Sequence, residues 1–328
     1  MQTFCGYQDI PGNPRGPLSS GSIVTIGNFD GVHRGHQALI ALAREHAKKR
    51  NLPLVVYTFR PHPRAVLKPG ASVPMLLTFD ERLEHLSKLG TDIVVQEPFT
   101  REFSSLEPHQ FFERVLADAL QARAIIVGHD FGFGKNRGGD FASLKSWADA
   151  RGIAVEQMLG FRLKEGNEEI LISSSEIRRL LLAYEIETAN DLLGYPFFKR
   201  GVVKHGDGRG RTIGFPTANL TSDEKLELPR GVYCTETLFR DKLFPSVTNV
   251  GFRPTFQQDG TPGAASVLVE THLLDQDIDL YGYTIEVRFL KFVRPEKKFP
   301  SIGDLKTQIT ADCGEARSFF LGRKPSSA

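Results

Sequence analysis

The chain has 328 residues, 40% hydrophobic and 24% charged, which is ordinary soluble composition and enough length for two domains with separate cores. Its 41 basic and 39 acidic residues leave a formal charge of +2, so the overall balance demands neither nucleic acid nor an acidic membrane as partner. Cys5, Cys234 and Cys313 lack metal or redox spacing, Met1–Pro17 lacks the pattern of a signal peptide, and no apolar run approaches the roughly 20 residues that cross a bilayer; the expectation is a cytoplasmic protein with reduced thiols.

From Ser22 to Met158, short β-branched runs alternate with longer amphipathic stretches. Ile23–Ile26, Leu54–Phe59, Ile93–Val95, Ala124–Val127 and Ile153–Met158 predict strands. His36–Lys49, Asp80–Lys88, Pro108–Leu120 and Ser143–Arg151 predict helices, with Leu39, Leu42, Ala43 and His46 sharing one face of the first. Such alternation predicts an α/β domain with a mainly parallel sheet covered on both sides. Ligands of such sheets bind beyond the carboxyl ends of the strands. Ser175–Leu193 predicts a further helix that stops at Gly194-Tyr195-Pro196.

The texture then changes. Phe197–Val203, Gly231–Leu238, Ser266–His272 and Thr284–Phe289 read as strands joined by turns bearing Gly, Pro and Asp, with a closing helix over Ile302–Leu321. That pattern predicts a small antiparallel barrel or sandwich. The boundary is placed near Ala189, dividing the chain into 1–188 and 189–328. There is no internal repeat, so the halves are not duplicates.

The strand Ile23–Ile26 delivers the chain into Gly27-Asn28-Phe29-Asp30-Gly31-Val32-His33-Arg34-Gly35, and His36 is expected to open a helix. Backbone N–H groups at a helix start lack partners and the dipole favours anions, so a phosphate fits there. Gly31 and Gly35 would allow close backbone approach. His33 and His36, three residues apart, can both donate to a phosphate oxygen. A zinc pair or two capping histidines are the alternatives, and zinc would need a third ligand that the spacing does not offer. Gly128–Gly134, containing Asp130, follows Ala124–Val127 and would open on the same sheet edge, as would Thr58–Pro63. Ser173-Ser174-Ser175-Glu176-Ile177-Arg178 sets hydroxyls before a helix and an arginine in its first turn. Taken alone, these are turn chemistry, and an N-cap followed by a surface arginine.

The second constellation begins with the basic, glycine-rich run Lys204–Arg211, containing Gly208, Gly210 and Arg211. It does not have P-loop spacing, and by itself it is a turn. Gly214-Phe215-Pro216-Thr217-Ala218-Asn219 is more specific: a rigid proline precedes a hydroxyl and an amide two residues apart, on one face of an extended segment. Oxygen ligands of this kind suit magnesium.

The first set of motifs resembles the nucleotidyltransferase superfamily with a histidine–x–x–histidine motif. More narrowly, Gly27–His36, Thr58–Pro63, Val127–Gly134 and Ser173–Arg178 resemble the adenylyltransferase module of prokaryotic bifunctional riboflavin kinase/FAD synthetases. The second set resembles riboflavin kinases, continued by Gly231-Val232-Tyr233, Asn249–Phe256, Glu270–Asp275 and Leu280-Tyr281-Gly282. The likeness runs from about Gly21 to Phe320. Ser175 stands where threonine is common in the family, Tyr184 where glycine is common, and Gln257–Ala265 has its own sequence.

The resemblance implies a Rossmann-like nucleotidyltransferase domain and a six-stranded antiparallel barrel with a terminal helix. It implies that His33 and His36 polarise ATP phosphates at the Gly27, Asp30, Gly31 and Gly35 loop, with Ser174, Ser175 and Arg178 steadying pyrophosphate and Asp130 helping to position the nucleotide or flavin phosphate. In the barrel it implies ATP and flavin at Gly208, Gly210, Arg211, Gly214 and Pro216, Mg²⁺ with ATP at Thr217 and Asn219, and Glu270 as base. The expected substrates are riboflavin, FMN and ATP, with neither nucleic acid nor membrane involved; self-association is compatible with the composition. Two other readings remain open at this point: adenylylation of another phosphorylated small molecule, and a non-catalytic flavin- or nucleotide-binding regulator.

Overall fold

The computed structural model describes residues 1–12, 16–68, 70, 73–165, 168–204, 209–221, 225–253 and 266–323. It divides into two compact units, Met1–Ser174 and Ser175–Ala328.

The first unit carries β1 (Gln2–Phe4), β2 (Ser22–Ile26), α1 (Arg34–Arg50), β3 (Leu54–Arg60), α2 (Pro63–Leu67), α3 (Phe79–Lys88) and β4 (Ile93–Pro98). Then follow α4 (Pro108–Phe111), continuing as a π-helical stretch over Phe112–Ala119, β5 (Ala122–Val127), α5 (Phe141–Ala150) and β6 (Ala154–Gln157). A hairpin of β7 (Arg162–Glu165) and β8 (Glu168–Leu171) completes it. The six strands β1 to β6 form one sheet in the order β1-β4-β3-β2-β5-β6, every pair parallel. Both faces of such a sheet are covered, which is why all five residues of β2 are buried.

Local chemistry sets the helix ends. Thr78 and Glu81 form a reciprocal capping box at the start of α3, and Asp140 with Ser143 does the same for α5. At the end of α1, Lys48, Lys49 and Arg50 meet the negative end of the dipole before Asn51 turns left-handed. The face of α1 expected to be buried is corrected in part. Leu39 and Ala43 are buried, but Ile40 and Ala47 fill the other positions in place of Leu42 and His46.

The strand order matters for function. From β2 the chain moves one way to β3 and β4, and later returns to the other side of β2 as β5 and β6. The switch point is therefore at the carboxyl ends of β2 and β5, from which the Gly27–Gly35 and Gly128–Gly134 loops emerge.

The second unit holds the rest of α6 (Ser174–Leu182), with α7 (Ile186–Leu193), β9 (Phe198–Lys204), α8 (Arg209–Thr212), β10 (Ala218–Thr221), β11 (Gly231–Phe239), β12 (Lys242–Arg253), β13 (Ser266–Leu273), β14 (Thr284–Pro295) and α9 (Ile302–Leu321). The strands close into an antiparallel barrel in the order β10-β13-β12-β11-β14-β9, with β9 pairing back to β10. The single helix expected over Ser175–Leu193 is two, because Tyr184 is left-handed at φ 64° between them. A left-handed backbone is one that glycine adopts at no steric cost.

The barrel interior is partly polar. Thr235, Thr237, Ser246, Thr248 and Thr271, all buried, link their hydroxyls in a ring. The contacts are Thr271–Thr248 at 2.8 Å, Thr248–Thr235 at 2.7 Å, Thr235–Ser246 at 2.8 Å, Ser246–Thr237 at 2.9 Å and Thr237–Thr271 at 3.4 Å. A hydroxyl both donates and accepts, so a closed ring can satisfy every member without water. On the outer wall, α9 covers Val232, Cys234 and Val247 with Cys313 and Ala316. Arg294 is fixed to Asp312 of α9 by two bonds of 2.8 and 2.7 Å. Burial raises the Cys234 and Cys313 thiols to about 12 and about 11, so neither is a reactive thiolate.

Candidate active sites

At the end of β2, Gly27 donates its N–H to the Tyr57 carbonyl at 3.1 Å, extending the sheet by one bond. The chain then turns through left-handed Phe29 (φ 48°), Gly31 (φ 77°) and Val32 (φ 34°). Three partners hold this turn. Thr58 Oγ1 donates to the Asn28 carbonyl at 3.2 Å, and Ser174 Oγ donates to the Asp30 carbonyl at 2.8 Å. The Asp30 carboxylate accepts from the Leu76 and Leu77 amides at 3.0 and 3.4 Å. Asp30 is 1% exposed, so its carboxylate braces the loop from below and is not presented to solvent.

His33, not His36, marks the start of α1. It is the N-cap, and its Nδ1 accepts from the His36 amide at 3.3 Å. That bond puts the proton of a neutral His33 ring on Nε2, which then acts as a donor. The two rings stack 3.6 Å apart at 15°, with Phe29 tilted against His36 at 5.1 Å. Burial, then the neighbouring His33 and then Arg82, hold His36 well below the usual histidine range. Its ring is half-buried and its Nδ1 has no hydrogen-bond partner. Gly35 is buried in the first turn of α1. Imidazole rings set at a helix N-terminus can donate to phosphate oxygens, and His36, held neutral, can do so without a proton transfer. Among the described residues no group of three His, Cys, Asp or Glu could hold a metal, so the zinc alternative has no third ligand there.

The Gly128–Gly134 loop leaves β5 at the same edge, with Asp130 exposed and its carbonyl accepting from Arg137 at 2.6 Å. Phe131 and Phe133 stack at 5.2 Å. Ser174 begins α6, so Ser175 follows in its first turn and Arg178 lies one turn along the face that Ser174 opens.

In the second unit, register assembles the site. Asn219 of β10 stands opposite Glu270 of β13, and Glu270 stands opposite Asn249 of β12. Directly opposed residues share a face with Cβ atoms about 4.5–5.5 Å apart. Asn219, Glu270 and Asn249 therefore form one row across three strands, and Lys204 of β9 extends it beyond Asn219. Asn219 is 9% exposed, whereas Glu270 is half-exposed. Thr217 precedes β10 and lines a narrow cleft of about 40 Å³ with Ala218, Thr271 and the 276–281 loop.

The Phe215–Thr217 segment is held by close contact. Phe215 N–H donates to the Gly210 carbonyl at 2.8 Å, and a Cβ at position 210 would lie 2.3 Å from the Phe215 oxygen. Gly210 is therefore a packing requirement, and the run read as a turn leads into the short helix α8. Gly214 is left-handed at φ 90°. The Pro216 carbonyl meets His272 Nδ1 at 2.8 Å. Gly208, His205–Asp207, the side chains of Arg211 and Arg253, and the Gln257–Ala265 loop lie outside the described residues.

Motif reading quoted Asn249 and His272 within longer segments without giving them a role, and it did not single out Arg82. His272 was accessible to it, because a strand period of two puts it on the face of Glu270. Asn249 needed the register of β12. Arg82 looks like a surface residue of an amphipathic helix and is revealed only by its burial.

Comparison with known proteins matches both halves of the chain. A family model described as FAD synthetase matches residues 17–176, and one described as riboflavin kinase matches 193–320. The protein of Escherichia coli K12 named bifunctional riboflavin kinase/FMN adenylyltransferase is 40% identical over 99% of this chain and 100% of its own. The protein of that name from Listeria monocytogenes is 36% identical over 91% of this chain and 92% of its own. A crystal structure named macrolide-efflux protein from Streptococcus pneumoniae superposes with a TM-score of 0.83 at 32% identity, covering 96% of this chain and 98% of that one. With identity of this level sustained along the whole length, the chain belongs to the bifunctional riboflavin kinase/FMN adenylyltransferase family.

Proposed function

We infer that this chain makes FAD in two steps, phosphorylating riboflavin with ATP to give FMN and then joining FMN to the adenylyl group of a second ATP with release of pyrophosphate. The observation that carries the reading is the presence on one chain of two complete phosphate constellations. One is at a sheet switch point and the other is on a barrel wall. A regulator that only binds a flavin needs neither a base beside Asn219 nor a paired-histidine helix start.

In the kinase unit, Glu270 accepts the proton of the ribityl hydroxyl as its oxygen attacks the γ-phosphorus and ADP leaves. Asn219 lies beside it in register, so the nucleotide and the attacking hydroxyl are held on one surface. The donor set fits magnesium: the Thr217 hydroxyl and the Asn219 amide oxygen are hard, neutral ligands that leave phosphates and water to complete the shell. Bound there with ATP, Mg²⁺ would offset the phosphate charge. Gly210 and Gly214 allow the backbone turn that presents Thr217.

In the first unit no protein nucleophile is required, because the FMN phosphate is already anionic and attacks the α-phosphorus directly. His33, His36 and the N-terminus of α1 bind the phosphates and stabilise the charge that develops on the leaving pyrophosphate. Ser174 holds the loop through the Asp30 carbonyl, and Ser175 and Arg178 act on the leaving group. Asp130 positions the nucleotide or the flavin phosphate. A functional boundary near Ala189 is supported by family-model matches to 17–176 and 193–320 on either side of it. Use of ATP and FMN supports a cytoplasmic location, and among the described residues no helix is long and apolar enough to cross a membrane.

The test is incubation with riboflavin, ATP and Mg²⁺ while FMN and FAD are followed separately by chromatography. FMN followed by FAD is the expected course. FMN alone would leave the first unit with a different phosphorylated acceptor, and an adenylylated protein seen by mass spectrometry would overturn direct transfer.

A further inference from the structure

Arg82 is the largest fully buried side chain of the described residues, at 2% exposure. A cation taken out of water costs several kcal/mol unless it is paired and its donors are bonded. Arg82 has little of either. Its Nη1 reaches Thr58 Oγ1 at a long 3.4 Å, and its Nε and Nη2 are buried without a hydrogen-bond partner. Phe79 lies under the guanidinium at 4.7 Å and also takes Arg60 at 4.6 Å, which brings a second positive charge close. Asp30 is the acid that attracts it, but that carboxylate is occupied by the Leu76 and Leu77 amides. Burial lowers the guanidinium to about 10, which still leaves it charged at neutral pH.

The place of this charge gives it a role. Thr58 Oγ1 accepts from Arg82 and donates to the Asn28 carbonyl, so a two-bond path runs from α3 to the loop that precedes His33. Asn28 Oδ1 and His36 Nδ1 are buried and unpartnered at that same loop and helix start. Packing alone would be served better by an apolar residue, because a well-packed hydrophobe avoids the desolvation cost altogether. A positive charge beneath a loop that receives polyphosphate is favoured further in the liganded state.

We propose that Arg82 is a positioning residue for adenylyl transfer: its buried guanidinium holds the Asn28–Gly31 turn through Thr58 and Asp30 and makes the floor of the phosphate site positive. It also acts on His36, whose charged neighbours are His33 on the same helix start and Arg82 on α3. Both oppose a proton on that ring, so His36 enters the reaction neutral. Arg82 itself faces Asp30 and Arg60. This proposal rests on the adenylyltransferase reading, and supplied FMN separates the two: wild-type enzyme that makes no FAD from FMN refutes the reading itself.

The experiment compares wild type, Arg82→Met, Arg82→Lys and Thr58→Val in the full chain. FAD formation from FMN is measured beside FMN formation from riboflavin, and the His36 ring is titrated by NMR. Arg82→Met is expected to lower kcat for FAD formation by about 10–100-fold, the scale of a small misplacement of reacting groups. Riboflavin phosphorylation should be unchanged, and the His36 titration should move to higher pH. Arg82→Lys should return the titration to its wild-type position and recover most of kcat. A purely structural arginine would leave the His36 titration of a folded Arg82→Met protein where it was, and that result overturns the proposal. If Arg82→Met does not fold, Thr58→Val decides: a fall in kcat at unchanged KM for ATP supports the path through Thr58, and wild-type kinetics refute it.

Discussion

Both sites are built to hold ATP, and they do so with opposite kinds of structure. The proposed adenylyltransferase site is a loop and a helix start: ten consecutive residues, Gly27–His36, supply the turn, the stacked histidines and the first turn of α1. The proposed kinase site is a wall, on which Asn219, Glu270 and Asn249 come from three strands and meet only through antiparallel register. The first kind of site can be lost by moving a loop while its strands stay intact. The second depends on register, where a slip of one residue would turn every side chain to the other face. Point changes should therefore act on one reaction at a time.

The largest separation is expected from Glu270→Ala. Removing a general base costs about 10²–10⁴-fold, so FMN formation should fall by that factor while FAD formation from supplied FMN continues. Next is the double change His33→Ala/His36→Ala. Loss of preorganised donors costs on the order of 10²–10³-fold per group, and the variant should accumulate FMN from riboflavin with little FAD. If either variant slows both reactions equally when each substrate is supplied, the sites are not assigned as described.

Gly210→Ala sharpens the contrast within the barrel. Its added Cβ would sit 2.3 Å from the Phe215 oxygen, so the Phe215–Thr217 segment must move. Overpacking of this kind costs about 1–3 kcal/mol. Expressed at Thr217, that predicts a fall of roughly tenfold or more in kcat/KM for ATP in riboflavin phosphorylation, where each 1.36 kcal/mol is tenfold. FAD formation should not change.

The same contrast explains what could be read from the chain. The parallel sheet was legible because its strands are short apolar runs, and the first site because its residues are contiguous. β1 escaped because three residues carry no period, and β12 because Pro245 and the polar residues Ser246, Thr248 and Asn249 interrupt an apolar reading. Those same hydroxyls face inward to make the buried ring, so the pattern that hid the strand belongs to the core. The interruption at Tyr184 was invisible because a left-handed tyrosine gives no local signal. Arg82 was hidden for a related reason: helical spacing cannot separate a buried cation from a solvated one.

Thr248→Val tests the hydroxyl ring. It removes bonds of 2.7 Å to Thr235 and 2.8 Å to Thr271 and opens the ring, leaving Thr235 only its bond to Ser246 and Thr271 only its long contact with Thr237. An unsatisfied buried polar group costs about 1–3 kcal/mol, so the barrel should lose kinase activity at lower denaturant. Trp147, the one tryptophan of the chain, packs among Phe112 and Phe133 in the first unit. Its fluorescence transition should stay in place, since the two cores do not share the ring.

The smallest effect is one of pH on the first unit, and it too belongs to one site. His36 is held below its ordinary value in the folded protein, first by burial and then by His33 and Arg82. Between that lowered value and about 6.5, the unfolded chain binds a proton that the folded one refuses. The stabilisation is therefore complete above about 6.5 and is lost progressively as pH falls. Glu97, raised by burial, works in the opposite sense, gaining stability as it protonates, so the wild-type profile alone mixes the two. The difference between wild type and His36→Gln isolates the histidine. Followed by Trp147 fluorescence in denaturant, the variant should lose less stability than wild type on acidification from about pH 7.5 to 5.5, the interval spanning the ordinary histidine value. Equal losses would mean that the His36 ring accepts a proton freely in the folded state, and it would then enter the reaction as a cation rather than as a neutral donor.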